Sequence, residues 1–162
     1  MKAKRKSAPD TSIRQAELIL QLYEVRREAV MREARSYIGG AFLPASADEL
    51  IAIVSAGTRH SGFVLQVYGY WDMVAAFVVH GALDESLIFD TCQEMYFLFE
   101  KIQPSLAGFR EKMNLPEFLK SMEIVVGGSQ ERRSRGASKP KKARAQVPVA
   151  EDPALAVEVS PG

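Results

Sequence analysis

Apolar residues recur at helical spacing along most of the chain. Between Ile13 and Ile38, the residues Ile13, Ala16, Ile19, Leu20, Tyr23, Val30, Met31, Ala34, Tyr37 and Ile38 share one side of a helical wheel. Arg14, Glu17, Gln21, Glu24, Glu28, Arg32 and Arg35 fall mainly on the other. This pattern predicts one long amphipathic helix, with capping residue types at Asp10, Thr11 and Ser12 and a glycine stop at Gly39-Gly40. Ser46 and Glu49 have capping-box spacing and predict a short helix over 46–56, broken at Gly57-Thr58. A third helix over 59–80 is apolar on most sides. Only Gln66, Gly69, Asp72, Met73, Ala76 and His80 form a polar or small-residue strip, which suits the middle of a bundle.

Gly81 closes that helix and Asp84 caps a fourth over 84–103, with Leu87, Ile88, Cys92, Met95, Tyr96, Leu98, Phe99 and Ile102 on its inner face. Pro104, which has no N–H to donate, predicts a kink or a restart and a short helix over 105–113 carrying Leu106, Phe109 and Met113. Asn114 and Pro116 open a last helix, to about Val126, with Phe118, Leu119, Met122 and Val125 inward and Gly127-Gly128 as its stop. The expected fold is all-α: a single antiparallel helical bundle over 12–127, with about six helices, three long and three short.

Composition adds the ends. Apolar types are 47% of the 162 residues and charged types 25%, as in an ordinary globular domain. The net charge of +1 hides a strong segregation. Residues 1–9 carry Lys2, Lys4, Arg5 and Lys6 with no acid; residues 10–128 hold 10 basic and 16 acidic side chains. Residues 129–162 hold 7 basic and 4 acidic side chains, with every positive charge between Arg132 and Arg144. Residues 1–11 and 128–162 have too little apolar surface to offset their ordering entropy, so disordered basic termini are expected.

The run from Phe63 to Leu83 is long enough to span a bilayer, but it contains Gln66, Asp72 and His80. A central Asp costs roughly 2.5–3.5 kcal/mol on the insertion scale. No transmembrane span is therefore expected. The charged start Met1–Lys6 is followed by Ser7-Ala8-Pro9-Asp10, where a secretory leader would have its apolar core, so the expected location is the cytoplasm.

The segments Tyr70-Trp71-Asp72-Met73, His80-Gly81-Ala82-Leu83-Asp84-Glu85, Glu94-Met95, Pro104 and Phe109-Arg110-Glu111, with Leu22-Tyr23-Glu24-Val25-Arg26-Arg27 near the start, carry a resemblance. Over residues 15–126 the chain resembles a family of small bacterial helical proteins known only as a domain of unknown function. The resemblance implies an all-helical fold and a bacterial source. It implies no activity, substrate or cofactor. Some members begin with a membrane-spanning helix, which this sequence does not show.

Candidate chemistry is sparse. Arg27 falls in the apolar stripe of the first helix and needs acceptors; Asp72 and Glu94 stand near the edges of their apolar faces. With His80 these form a candidate buried charged cluster, read either as a ligand or hydrolytic site or, with more weight, as a structural ion pair or a snorkelling arginine whose head reaches water. Asp72 and His80 differ by about 80° on the wheel and no nucleophile motif accompanies them, which disfavours a catalytic pair. Metal-ligand spacings and glycine-rich phosphate loops are missing, so no metal and no cofactor is expected. Cys92 lies on an apolar face and reads as a small hydrophobe. Phe97 falls among Asp90, Gln93, Glu100 and Lys101 on a polar face and is a candidate interface residue. Arg132, Arg133, Arg135, Lys139, Lys141, Lys142 and Arg144 are candidate polyanion contacts, without the aromatics of a stacking platform. The expected role is a soluble, non-enzymatic helical interaction or self-associating protein with an electrostatic tail. The alternatives are the charged-cluster site and weak, sequence-independent contact of the tail with nucleic acid or an anionic surface.

Overall fold

The computed structural model describes the backbone of residues 9–137 and the side chains of residues 11–129. Seven helices and no strand occur among these residues: α1 (Pro9–Arg27), α2 (Ala29–Gly40), α3 (Ala47–Ser55), α4 (Arg59–Val79), α5 (Glu85–Thr91), α6 (Glu94–Met113) and α7 (Lys120–Ala137). The all-α class holds, and the differences from the sequence reading lie in where helices break.

Local chemistry explains the starts of three helices. Ser46 accepts from the Glu49 N–H at 3.2 Å, while Glu49 reaches back to the Ala45 N–H at 2.8 Å. Thr58 and Ser61 complete a capping box at the start of α4, and the Ser61 hydroxyl donates to the Ile53 carbonyl at 2.6 Å, tying α4 to the end of α3. Asp84 Oδ1 accepts from the Ser86 and Leu87 N–H groups at the start of α5. The turn after α3 places Gly57 at φ 64°, and the turn after α4 places Gly81 at φ 76°, where a Cβ would be strained.

Four breaks differ from expectation. The helix predicted over 13–38 is two helices, divided at Glu28, which has ψ 145° and no side-chain cap. The helix predicted over 84–103 breaks at Cys92, with φ −133° and ψ 60°. Pro104 does not restart the chain; α6 passes through it. Glu100 and Pro104 both face solvent, so the carbonyl that Pro104 leaves without a helical donor is open to water. Buried Ile102, Ser105 and Leu106 anchor the helix on the other side. Lastly, α7 starts at Lys120 and continues past Gly127-Gly128 to Ala137. Its buried Val125, Val126 and Ser129 keep it packed, and Ser129 donates to Glu85 at 2.8 Å.

The core lies around α4, which packs against α2, α3 and α7; α6 packs against α3 and α7. Trp71, Tyr68, Phe42, Phe99 and Phe109 are its largest fully buried side chains. Each buried aliphatic or Phe side chain contributes about 1.5–3 kcal/mol of transfer free energy. By length and composition α4 is also apolar enough to cross a membrane.

Candidate functional site

The charged groups meet where α1, α2, α4 and α6 come together. Glu94 opens α6, with its side chain mostly covered. Arg26, in the last turn of α1, donates to Glu94 Oε2 at 2.5 Å. Arg35, from α2, donates through Nε to Oε1 at 2.7 Å and to Oε2 at 3.0 Å. A carboxylate held by two guanidiniums uses both its oxygens in charge-assisted bonds. Arg26 is 9% exposed; its guanidinium lies 4.9 Å from the Trp71 ring centroid and 5.1 Å from that of Tyr23, within cation–π range. The Tyr70 hydroxyl donates to the Leu22 carbonyl at 2.8 Å. Burial pushes that hydroxyl up to about 12, against a smaller downward pull from the Arg26 charge. The Arg26 Nε–H and the Trp71 indole N–H are buried with no hydrogen-bond partner among the described residues.

This arrangement corrects the predicted cluster of Arg27, Asp72, His80 and Glu94. Of the four, only Glu94 belongs to it. Arg27 is two-thirds exposed and pairs with Glu24 at 3.3 Å. Asp72 instead accepts from the Met122 N–H at 2.9 Å, capping α7 from across the body. His80 is the exposed C-cap of α4. Arg26 is the buried cation, and Arg35 was read as polar surface. The bend at Glu28 accounts for both misses. On a continuous helix, Arg26 and Arg35 are nine residues apart, about half a turn out of phase, and face opposite ways. Breaking the helix between them turns both toward Glu94. The spacing alone therefore argued against the pair that forms.

A second charged group closes the other end. Arg110 donates to the Phe118 carbonyl at 2.9 Å and to Glu123 at 3.1 Å. Lys120 hydrogen-bonds Glu123 at 2.7 Å, and with Arg110 it holds that carboxyl below its usual range. Lys101 donates to the Ile38 and Gly39 carbonyls, placing a cation on the C-terminal end of α2; burial lowers its pKa. No group of three or more His, Cys, Asp or Glu side chains among the described residues is arranged to hold a metal ion. Cys92 is buried.

Phe97 is 53% exposed, with the Lys101 ammonium 5.6 Å from its ring centroid. Within the basic block, Arg132, Arg133 and Arg135 lie on the backbone of α7, and their side chains lie outside the described residues. Lys139, Lys141, Lys142 and Arg144 lie wholly outside them, as does most of the segment expected to be disordered.

Residues 11–129 match the family described as Domain of unknown function (DUF4760). No curated protein and no solved structure matches the chain.

Proposed function

Because this chain belongs to the DUF4760 family, whose description names no activity, we propose its role from its own residues: a soluble, non-enzymatic helical interaction protein that self-associates or docks a protein partner. One observation carries this reading. The charged cluster is spent on structure, since both Glu94 oxygens are engaged by Arg26 and Arg35, whereas large apolar side chains stand in solvent. Leu20 is 67% exposed, Leu43 71% and Phe97 53%. An aromatic group such as Phe97 is of a type enriched at protein interfaces, and exposed leucines add apolar area that a partner can bury. The apolar α4 is read as the central helix of a body in water, given its burial against α2, α3 and α7. A cytoplasmic location goes with this reading.

Sedimentation of the full chain over a concentration series, beside Phe97→Ser, tests it. Concentration-dependent association weakened by Phe97→Ser is the expected result. A strictly monomeric protein that also recovers no stoichiometric partner from native lysate would sink the reading.

A second reading makes the basic block a polyanion contact. It is favoured by the course of α7, whose backbone runs on from the body through Arg132, Arg133 and Arg135. Removing residues 138–162 should then weaken DNA binding and flatten its salt dependence.

A further inference from the structure

The break at Glu28 has no local cause. Sharp helix kinks normally sit at Pro, at Gly/Ser pairs or at π-bulges, and the sequence here is Arg26-Arg27-Glu28-Ala29-Val30. These residues are compatible with helix, and the Glu28 side chain does not cap the helix that follows. The apolar periodicity also runs through the break. Tertiary contacts therefore hold the chain bent: Ile19 and Leu22 are buried, the Tyr70 hydroxyl donates to the Leu22 carbonyl, and Arg26 reaches Glu94. These contacts gather at the C-terminal half of α1. Along residues 11–17 every side chain but Gln15 is exposed. The seat is also imperfect, because the Arg26 Nε–H and the Trp71 indole N–H lack acceptors there, a deficit that release into water would relieve.

We infer that α1 is a hinged arm with two states, a bent one latched by Arg26 to Glu94 over Trp71, and a released one in which α1 and α2 form a single straight helix. The two states exclude each other by geometry. Straightening places Arg26 half a turn away from Arg35, so Arg35 keeps Glu94 while Arg26 leaves it. Release uncovers Ile19, Leu22 and the face of Trp71. The inference rests on the bend and its contacts, and it stands whether or not the protein self-associates.

The full-length chain tests it through three readouts. Spin labels at Glu17→Cys and Ser36→Cys, both exposed positions, report the hinge, with Cys92 shielded by burial. A straight helix sets the labelled residues about 30 Å apart, and any bend shortens the distance. Trp71 is the only tryptophan and reports its own uncovering. Amide exchange reports the arm separately from α4 and α6. Glu94→Gln should move the label distance toward about 30 Å, red-shift the Trp71 emission, and speed amide exchange along α1 by roughly tenfold, with α4 and α6 protection retained. Helix content by circular dichroism should be kept. If Glu94→Gln does not fold, Tyr70→Phe, which removes only the hydroxyl bond to Leu22, should give the same shifts at smaller amplitude. Exchange of α1 in step with α4, an unchanged label distance, or a broad distribution with loss of helix would each overturn the two-state arm.

Discussion

At Gly108, α6 packs directly against Ala47 of α3. A Cβ built there would lie 2.8 Å from the Ala47 Cβ, whereas ordinary contact begins at 3.4 Å. The crossing has little room to give. Ser105 reaches the Pro44 carbonyl one turn earlier, and Lys112 pairs with Asp48 at 2.5 Å one turn later. Gly108→Ala gains about 0.8–1 kcal/mol of helix propensity. It loses about 1–3 kcal/mol to overpacking. The net expectation is a destabilisation of about 1 kcal/mol. Gly69→Ala is the matched control: it lies inside α4, faces solvent, and its Cβ would meet nothing within 4 Å. It should stabilise by about 0.5–1 kcal/mol, so chemically identical changes should differ by about 2 kcal/mol. Ala47→Gly removes the opposing methyl, and the pair Ala47→Gly with Gly108→Ala should recover at least about 1 kcal/mol of coupling. Urea unfolding followed by circular dichroism, with equal slopes across the four variants, measures all of this. If Gly108→Ala stabilises as much as Gly69→Ala, or the cycle shows coupling below about 0.5 kcal/mol, α3 and α6 are not packed at backbone distance.

Two further outcomes follow from the buried hydroxyls and the cross-body cap. Burial holds the Tyr70 hydroxyl at about 12 and also raises Tyr68. Below about pH 10 both the folded and the unfolded chain keep these protons; above it the unfolded chain loses them first. Stability should therefore fall between about pH 10 and about pH 12, with the buried tyrosinates appearing only as the chain unfolds, and a urea midpoint that stays constant over that interval would contradict this. Asp72→Ala should cost about 1 kcal/mol by leaving the Met122 N–H without its acceptor, and Asp72→Asn, which keeps a carbonyl oxygen, should cost only a few tenths. Equal losses for the two variants would mean that the charge of Asp72, and not its acceptor, supports α7.

Most of the fold was legible because helix periodicity and caps are local. The span of α4, the caps at Ser46 and Asp84, and the inward faces of α4 and α6 all followed from residues within a few positions of one another. Proline and glycine were over-read. Pro104 and Gly127-Gly128 looked like stops, yet each is tolerated where packing on the far side of the helix outweighs the local cost, about 3 kcal/mol for proline and about 1 kcal/mol for each glycine. The exposure of Phe97 was also visible, because it stood among polar neighbours on one helical face.

The charged cluster was not legible. Sequence supplied the inventory, namely several arginines near the start and an unpaired Glu94, and the requirement that a buried charge find a partner. It could not say which arginine. A rotation of 100° per residue makes Arg26 and Arg27 face different neighbours, and the bend at Glu28 resets the phase for everything after it. No residue at that position imposes the bend; contacts from α4 and α6, more than forty positions further along the chain, do so. The sequence thus determined the helices, their inner faces and the charges awaiting partners. The tertiary structure decided where one long helix gave way and which charges met, because the energy that favours the bend exists only once distant helices have packed against it.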